Sequence, residues 1–152
     1  MQTSATERVS STAVATLREA TRRLVHHVAN AANAVAVNVE VLRSRLERGT
    51  TSADSLSGFA DRAAAAAEQL SAGVSGLRPL LALLAEVAAD SGQLRAVPGD
   101  RDAVELRGAT SVTLDAATRA FGEEAGVSLR PTANGIILKV LRPDAAHIDV
   151  NQ

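Results

Sequence analysis

Two adjacent histidines, His26 and His27, sit mid-way along a stretch whose apolar residues recur at helical spacing. Imidazole is the side chain best suited to chemistry near neutral pH. Its neutral ring offers a nitrogen lone pair for attack, and it can also accept a proton. On a helix advancing about 100° per residue, His26 falls nearly opposite the Leu24/Val28/Val35/Leu42 stripe, and His27 falls on its flank. Asn30 lies one turn beyond His26 on the same exposed side, with Asn33 and Val37 nearby. That pattern suits a nucleophile presented on a rigid rod with an amide beside it. The same periodicity is also met by two solvent-facing histidines with no role, the commoner outcome for exposed histidines.

Other chemistries are largely excluded by composition. The chain of 152 residues has no cysteine, which removes disulfides, thiolate metal sites and thiol catalysis. Asp100, Asp102 and Glu105 read as a solvated acidic loop rather than a metal site. No Gly-x-Gly occurs. A net charge of -1, with Arg and Glu interspersed, gives no basic surface for nucleic acid or an anionic membrane. No apolar run approaches the ~20 residues of a membrane span. Residues 1–12 are polar, with no apolar signal segment. A soluble cytoplasmic protein with no cofactor and no metal is the expectation.

The elements that must position the histidines follow from the same periodicity. Residues 1–10 are small and polar, and are expected to fray. From about Ser11, Val14, Leu17, Thr21, Leu24, Val28, Ala31, Val35, Asn38 and Leu42 form a heptad-like seam, with Val25, Ala32, Val39 and Leu46 repeating every seven beside it. Gly49 is the expected stop, after Arg43, Arg45 and Arg48. Thr50, Thr51 and Ser52 offer N-cap hydroxyls for a second helix, with Asp54 in its first turn. That helix carries Leu56, Phe59, Ala63, Ala66, Leu70, Leu77, Leu81, Leu84 and Ala88. Gly73, Gly76 and Pro79 are its weak points, the proline should interrupt it, and Ser91-Gly92 should end it. So short a turn makes the two helices antiparallel.

Aromatic residues make up only 1% of the chain, Phe59 and Phe121, so Leu, Val and Ala must fill the core. Side chains this small suit closely approaching helices. Stripes this wide cannot be covered by two helices alone, so a homodimer forming a four-helix bundle is expected. After Pro98-Gly99-Asp100 the pattern changes. Ala103–Arg107 and Ser111–Leu114 are β-like, Asp115 should cap a helix Ala116–Glu124 closed by Gly126, and Val127–Arg130 with Ile136–Leu141 read as a hairpin around Pro131–Gly135. The tail from Pro143 should be loosely ordered. The expected fold is therefore mainly α, an antiparallel hairpin over residues 1–92 followed by a small α+β unit over 93–152.

The segment His26-His27-Val28-Ala29-Asn30-Ala31-Ala32-Asn33-Ala34-Val35-Ala36-Val37-Asn38-Val39-Glu40-Val41-Leu42 resembles the phospho-acceptor segment of bacterial sensor histidine kinases. His26, Val28, Asn30, Ala34, Val35, Asn38, Glu40 and Leu42 carry the likeness. It departs from the family at His27, where the family has an acidic residue acting as base, and at Ala31, where a proline is frequent. Ala120 to Leu141 is similar to the closing helix and hairpin of the family's ATP-binding domain, without its nucleotide pocket.

The resemblance implies a histidine phosphotransferase-like protein that receives a phosphoryl group on His26 and passes it on. Asn30 would orient that group and His27 would assist or flank. A response-regulator receiver domain, bringing its own magnesium, would dock on Asn33, Ala34, Val37 and Val41. The loss of the acidic residue and of the nucleotide site points to a donor other than ATP. The alternatives are a non-catalytic dimeric module that regulates a kinase or response regulator, and a purely structural hairpin.

Overall fold

The computed structural model describes residues 3–49 and 52–143, with side chains described from Ser11 onward. Helix α1 spans Thr3–Arg48, α2 Ala53–Gly76, α3 Arg78–Ala88 and α4 Ala116–Glu124; strands are β1 Gln93–Val97, β2 Asp100–Arg107, β3 Val127–Thr132 and β4 Gly135–Val140. Helix α1 begins at Thr3, earlier than its apolar periodicity, and at 46 residues it is about 70 Å long. The expectation of a loose tail falls on residues 144–152, outside the described residues, as do Thr50 and Thr51.

The helix ends obey local chemistry. Gly49 stops α1 with φ 64, its N–H donating to the carbonyls of Arg45 and Leu46. Ser52 caps α2 through its hydroxyl, which accepts from the Ser55 N–H. Pro79 lies in the first turn of α3, so the second arm of the hairpin breaks at Leu77 and resumes. Asp115 caps α4 by accepting from the Thr118 N–H. Its carboxyl is held below the usual range, chiefly by the Thr118 side chain.

The four strands form one antiparallel sheet in the order β1-β2-β4-β3. Its register aligns alternate residues on one face: Leu94 with Leu106, Ala96 with Val104, Val104 with Leu138, Leu106 with Ile136, Leu129 with Leu138 and Val127 with Val140. Val104, Leu106, Ile136 and Leu138 are fully buried there. On the opposite face Glu105 meets Arg107, and Lys139 meets Asp100.

This sheet overturns the expectation of a mainly α molecule carrying a small α+β appendage. The fold is α+β: an apolar sheet face needs a cover, and α1, α3 and α4 provide it. Ala13, Ala20 and Leu24 of α1 and Leu77, Leu80 and Leu83 of the second arm join the sheet residues in one hydrophobic cluster, which crosses residue 92. Small side chains at positions 13, 16 and 20 let α1 approach the strands, and the Thr16 hydroxyl donates to the Arg101 carbonyl at 3.0 Å. The seam assigned to a four-helix bundle is thus partly spent inside the chain. Among the described residues no four-helix bundle is evident.

Two local readings also change. Ser111–Leu114 is not a strand. Its inward alternation is met by Val112 and Leu114 on an unpaired segment, which is tied at its start to α3: Glu86 accepts from the N–H groups of Ala109 and Thr110 and from the Thr110 hydroxyl. Those hydrogen bonds, the Thr110 hydroxyl first, hold the Glu86 carboxyl below its ordinary value. Strand β1 is an element beyond those expected from the sequence, where Pro98-Gly99-Asp100 mark only a change of pattern. Pro98 and Gly99 are the turn of a β1–β2 hairpin, with Gly99 at φ 78.

The stretch Ala53–Ala88 is long and apolar enough to cross a membrane by length and composition. That corrects the expectation that no run approaches such a length. Here it is broken at Leu77 and packs against α1, α4 and the sheet.

Candidate functional site

His26 lies on the outer side of α1 and is exposed, as are Asn30 and Asn33; Val37 is 51% exposed, and Ala34 and Val41 are half-buried. These residues share one face of an uninterrupted helix. The helix positions them rigidly because it runs unbroken over Thr3–Arg48, and Ala31, where a proline would have bent it, is buried against the rest of the molecule. Asn38 donates to the Ala34 carbonyl at 2.7 Å, so its amide closes on its own helix.

His27 is built into a different environment. Its side chain is 21% exposed, and its ring meets Phe121 of α4 edge-on, with centroids 4.5 Å apart and planes at 64°. Nε2 stands 3.3 Å from the Glu124 carboxylate, an ion-pair distance when the ring is protonated, yet no hydrogen bond is formed by this buried nitrogen. Glu124 in turn accepts from the Gln69 side-chain amide of α2. One imidazole therefore joins α1 to α4 and α2, while its neighbour faces solvent.

Phe121, Glu124 and Gln69 carry no signal in the sequence that would place them beside His27, since they are 42 or more positions away. Gly73 and Gly76 fall in the same category. A side chain on Gly73 would meet the Phe121 ring, and one on Gly76 would meet Thr118. They are the seat of α4 rather than weak points of α2.

Upstream of His26, Arg18 and Arg22 follow at intervals of four and lie with it along one open surface of α1. Their spacing of four ahead of His26 is the signal that marks them in the sequence. Arg22 Nε and Nη2 donate to Glu19 at 2.9 and 2.8 Å, and Arg23 Nε donates to the same carboxylate at 2.7 Å. Hydrogen bonds from Arg22 and then Arg23 lower the Glu19 pKa to about 2. Arg23 also donates to the carbonyls of Gly126 and Leu141, tying α1 to the strands.

Asp100 and Asp102 are engaged by Lys139 and Arg142, and Glu105 by Arg107. Among the described residues no group of three or more His, Cys, Asp or Glu is arranged to hold a metal. No family model, curated protein or solved structure matches the chain.

Proposed function

We propose that this protein is a histidine phosphotransferase-like component of a two-component phosphorelay, with His26 as the phosphoryl carrier. One observation carries the reading. Of two adjacent histidines within a phospho-acceptor-like segment, the one at the acceptor position faces solvent on a straight helix, with the Asn30 amide a turn away. His27 is occupied by Phe121 and Glu124, and we assign it a flanking role.

In the transfer, the Nε2 lone pair of His26 forms an N–P bond as the P–O bond of a receiver's aspartyl phosphate breaks. The aspartate leaves as a carboxylate with the bonding pair, and the ring gives its Nδ1 proton to solvent. The reverse sequence delivers the group to a second receiver. Asn33, Ala34, Val37 and Val41 continue the same helix face and are the proposed docking strip.

Incubation with a phosphorylated receiver domain tests this. Acid-labile label should appear on the protein, disappear in His26→Gln and persist in His27→Gln. Binding without label would instead support a non-catalytic regulator.

A homodimer belongs to the same proposal. Val14, Val25, Val39 and Leu46 of α1 and Val74 and Leu81 of the second arm stay exposed, with Val25 61% and Leu46 64% accessible. An apolar stripe of that length calls for a partner. Light scattering should give twice the chain mass, and Val25→Glu should reduce it to the monomer. A wild-type monomer at high concentration would remove this part of the proposal.

A further inference from the structure

Arg22 is placed one turn before His26, where side chains four apart on a helix meet. It lies on the same open surface of α1 as the imidazole. Its side chain is 64% exposed and, among the described residues, is paired with Glu19. Arg23 shares that carboxylate but is also committed to two backbone carbonyls, so Glu19 keeps one guanidinium if the other leaves. An exposed pair of this kind holds weakly. A phosphoryl group on His26 would bring up to two negative charges and three acceptor oxygens within reach of Arg22, whose planar fork matches phosphate geometry.

We propose that Arg22 is a positioning residue for the phosphoryl group on His26, exchanging Glu19 for the phosphohistidine and neutralising its charge. The inference rests on the phospho-acceptor reading of His26 and adds to it a resting partner, Glu19, and a loaded one.

The test uses phosphoramidate, a small P–N donor that needs no receiver domain. The His26 Nε2–P bond forms as the donor's P–N bond breaks, ammonia leaves with the electron pair, and the Nδ1 proton goes to solvent. Phosphorus NMR of the full chain reads both the labelling rate and the pH midpoint of the phosphoryl resonance. Arg22→Ala should slow labelling about threefold, on the scale of an exposed charge pair, and raise that midpoint, because the dianion loses its counter-charge. Arg22→Lys should restore most of both. Glu19→Gln should speed labelling about twofold by releasing Arg22.

Wild-type labelling at His26, with both Arg22→Ala and Glu19→Gln unchanged in rate and midpoint, overturns the role of Arg22 and leaves the acceptor reading standing. No label on the wild type, or label that survives His26→Gln, overturns both.

Discussion

Replacing Phe121 with alanine is expected to lower the free energy of unfolding by about 3–5 kcal/mol, the range for removing a buried aromatic ring. The ring is 2% exposed and belongs to the cluster that joins the hairpin to the sheet. It bears on His27 from one direction and on the backbone of Gly73 from another. A glycine has no side chain to move into the vacated space, so the cavity would persist. Against the roughly 5–15 kcal/mol of a typical domain, this loss brings the chain close to unfolding. Urea denaturation followed by far-UV circular dichroism checks it: the midpoint should fall with the slope unchanged. Phe59→Ala is the comparison, because Phe59 is only half-buried between Arg45 and Arg62, whose guanidinium carbons stand 4.7 and 4.4 Å from its ring. Its loss should cost clearly less. Equal costs for the two would mean that Phe121 does not bridge the layers.

Alanine at Gly73 or Gly76 is expected to destabilise by about 1–3 kcal/mol, although helix propensity alone favours alanine over glycine by about 1 kcal/mol. Overpacking decides the sign. A Cβ at Gly73 would lie 2.5 to 2.7 Å from three atoms of the Phe121 ring, and one at Gly76 would come within 2.7 Å of Thr118 Cβ. Neither neighbour is the free end of a long side chain, since Phe121 and Thr118 are both buried. Gly58 supplies the internal control in the same helix. A Cβ there meets only the tip of Arg62 at 3.6 Å, an ordinary contact. Gly58→Ala should therefore stabilise by up to about 1 kcal/mol. Thermal melts of the three variants read the contrast directly. If Gly73→Ala and Gly76→Ala melt above the wild type, α4 is not seated on that face of α2.

These glycines mark the border between what neighbours in the chain decide and what they do not. Gly49, Ser52, Asp115 and Gly126 end or begin their helices through hydrogen bonds to residues within four positions, or through a left-handed φ that glycine adopts freely. Such features are legible in sequence because cause and effect lie in the same turn. The outward placement of His26 belongs with them, since it follows from the angle between His26 and Leu24 on one helix. Its surroundings upstream, Arg18, Arg22 and Glu19, are equally local.

The packing of the layers is not local. Val14 and Ala13 are adjacent and both apolar, yet Ala13 is buried under the sheet and Val14 is 42% exposed. Periodicity shows that α1 has a wide apolar face but not which surface covers each part of it. Strand β1 escapes for a related reason: it has only Leu94 and Ala96 facing inward, too few to show alternation, and it exists through pairing with β2.

His26 and His27 hold both lessons side by side. That His26 stands on the outside of a helix with Asn30 beside it is legible from residue order alone, because backbone geometry sets that angle. That His27 is taken up by Phe121 and Glu124 emerges with the packing of the layers, because the contact needs α4, whose docking depends on Gly73, Gly76 and a sheet formed far along the chain.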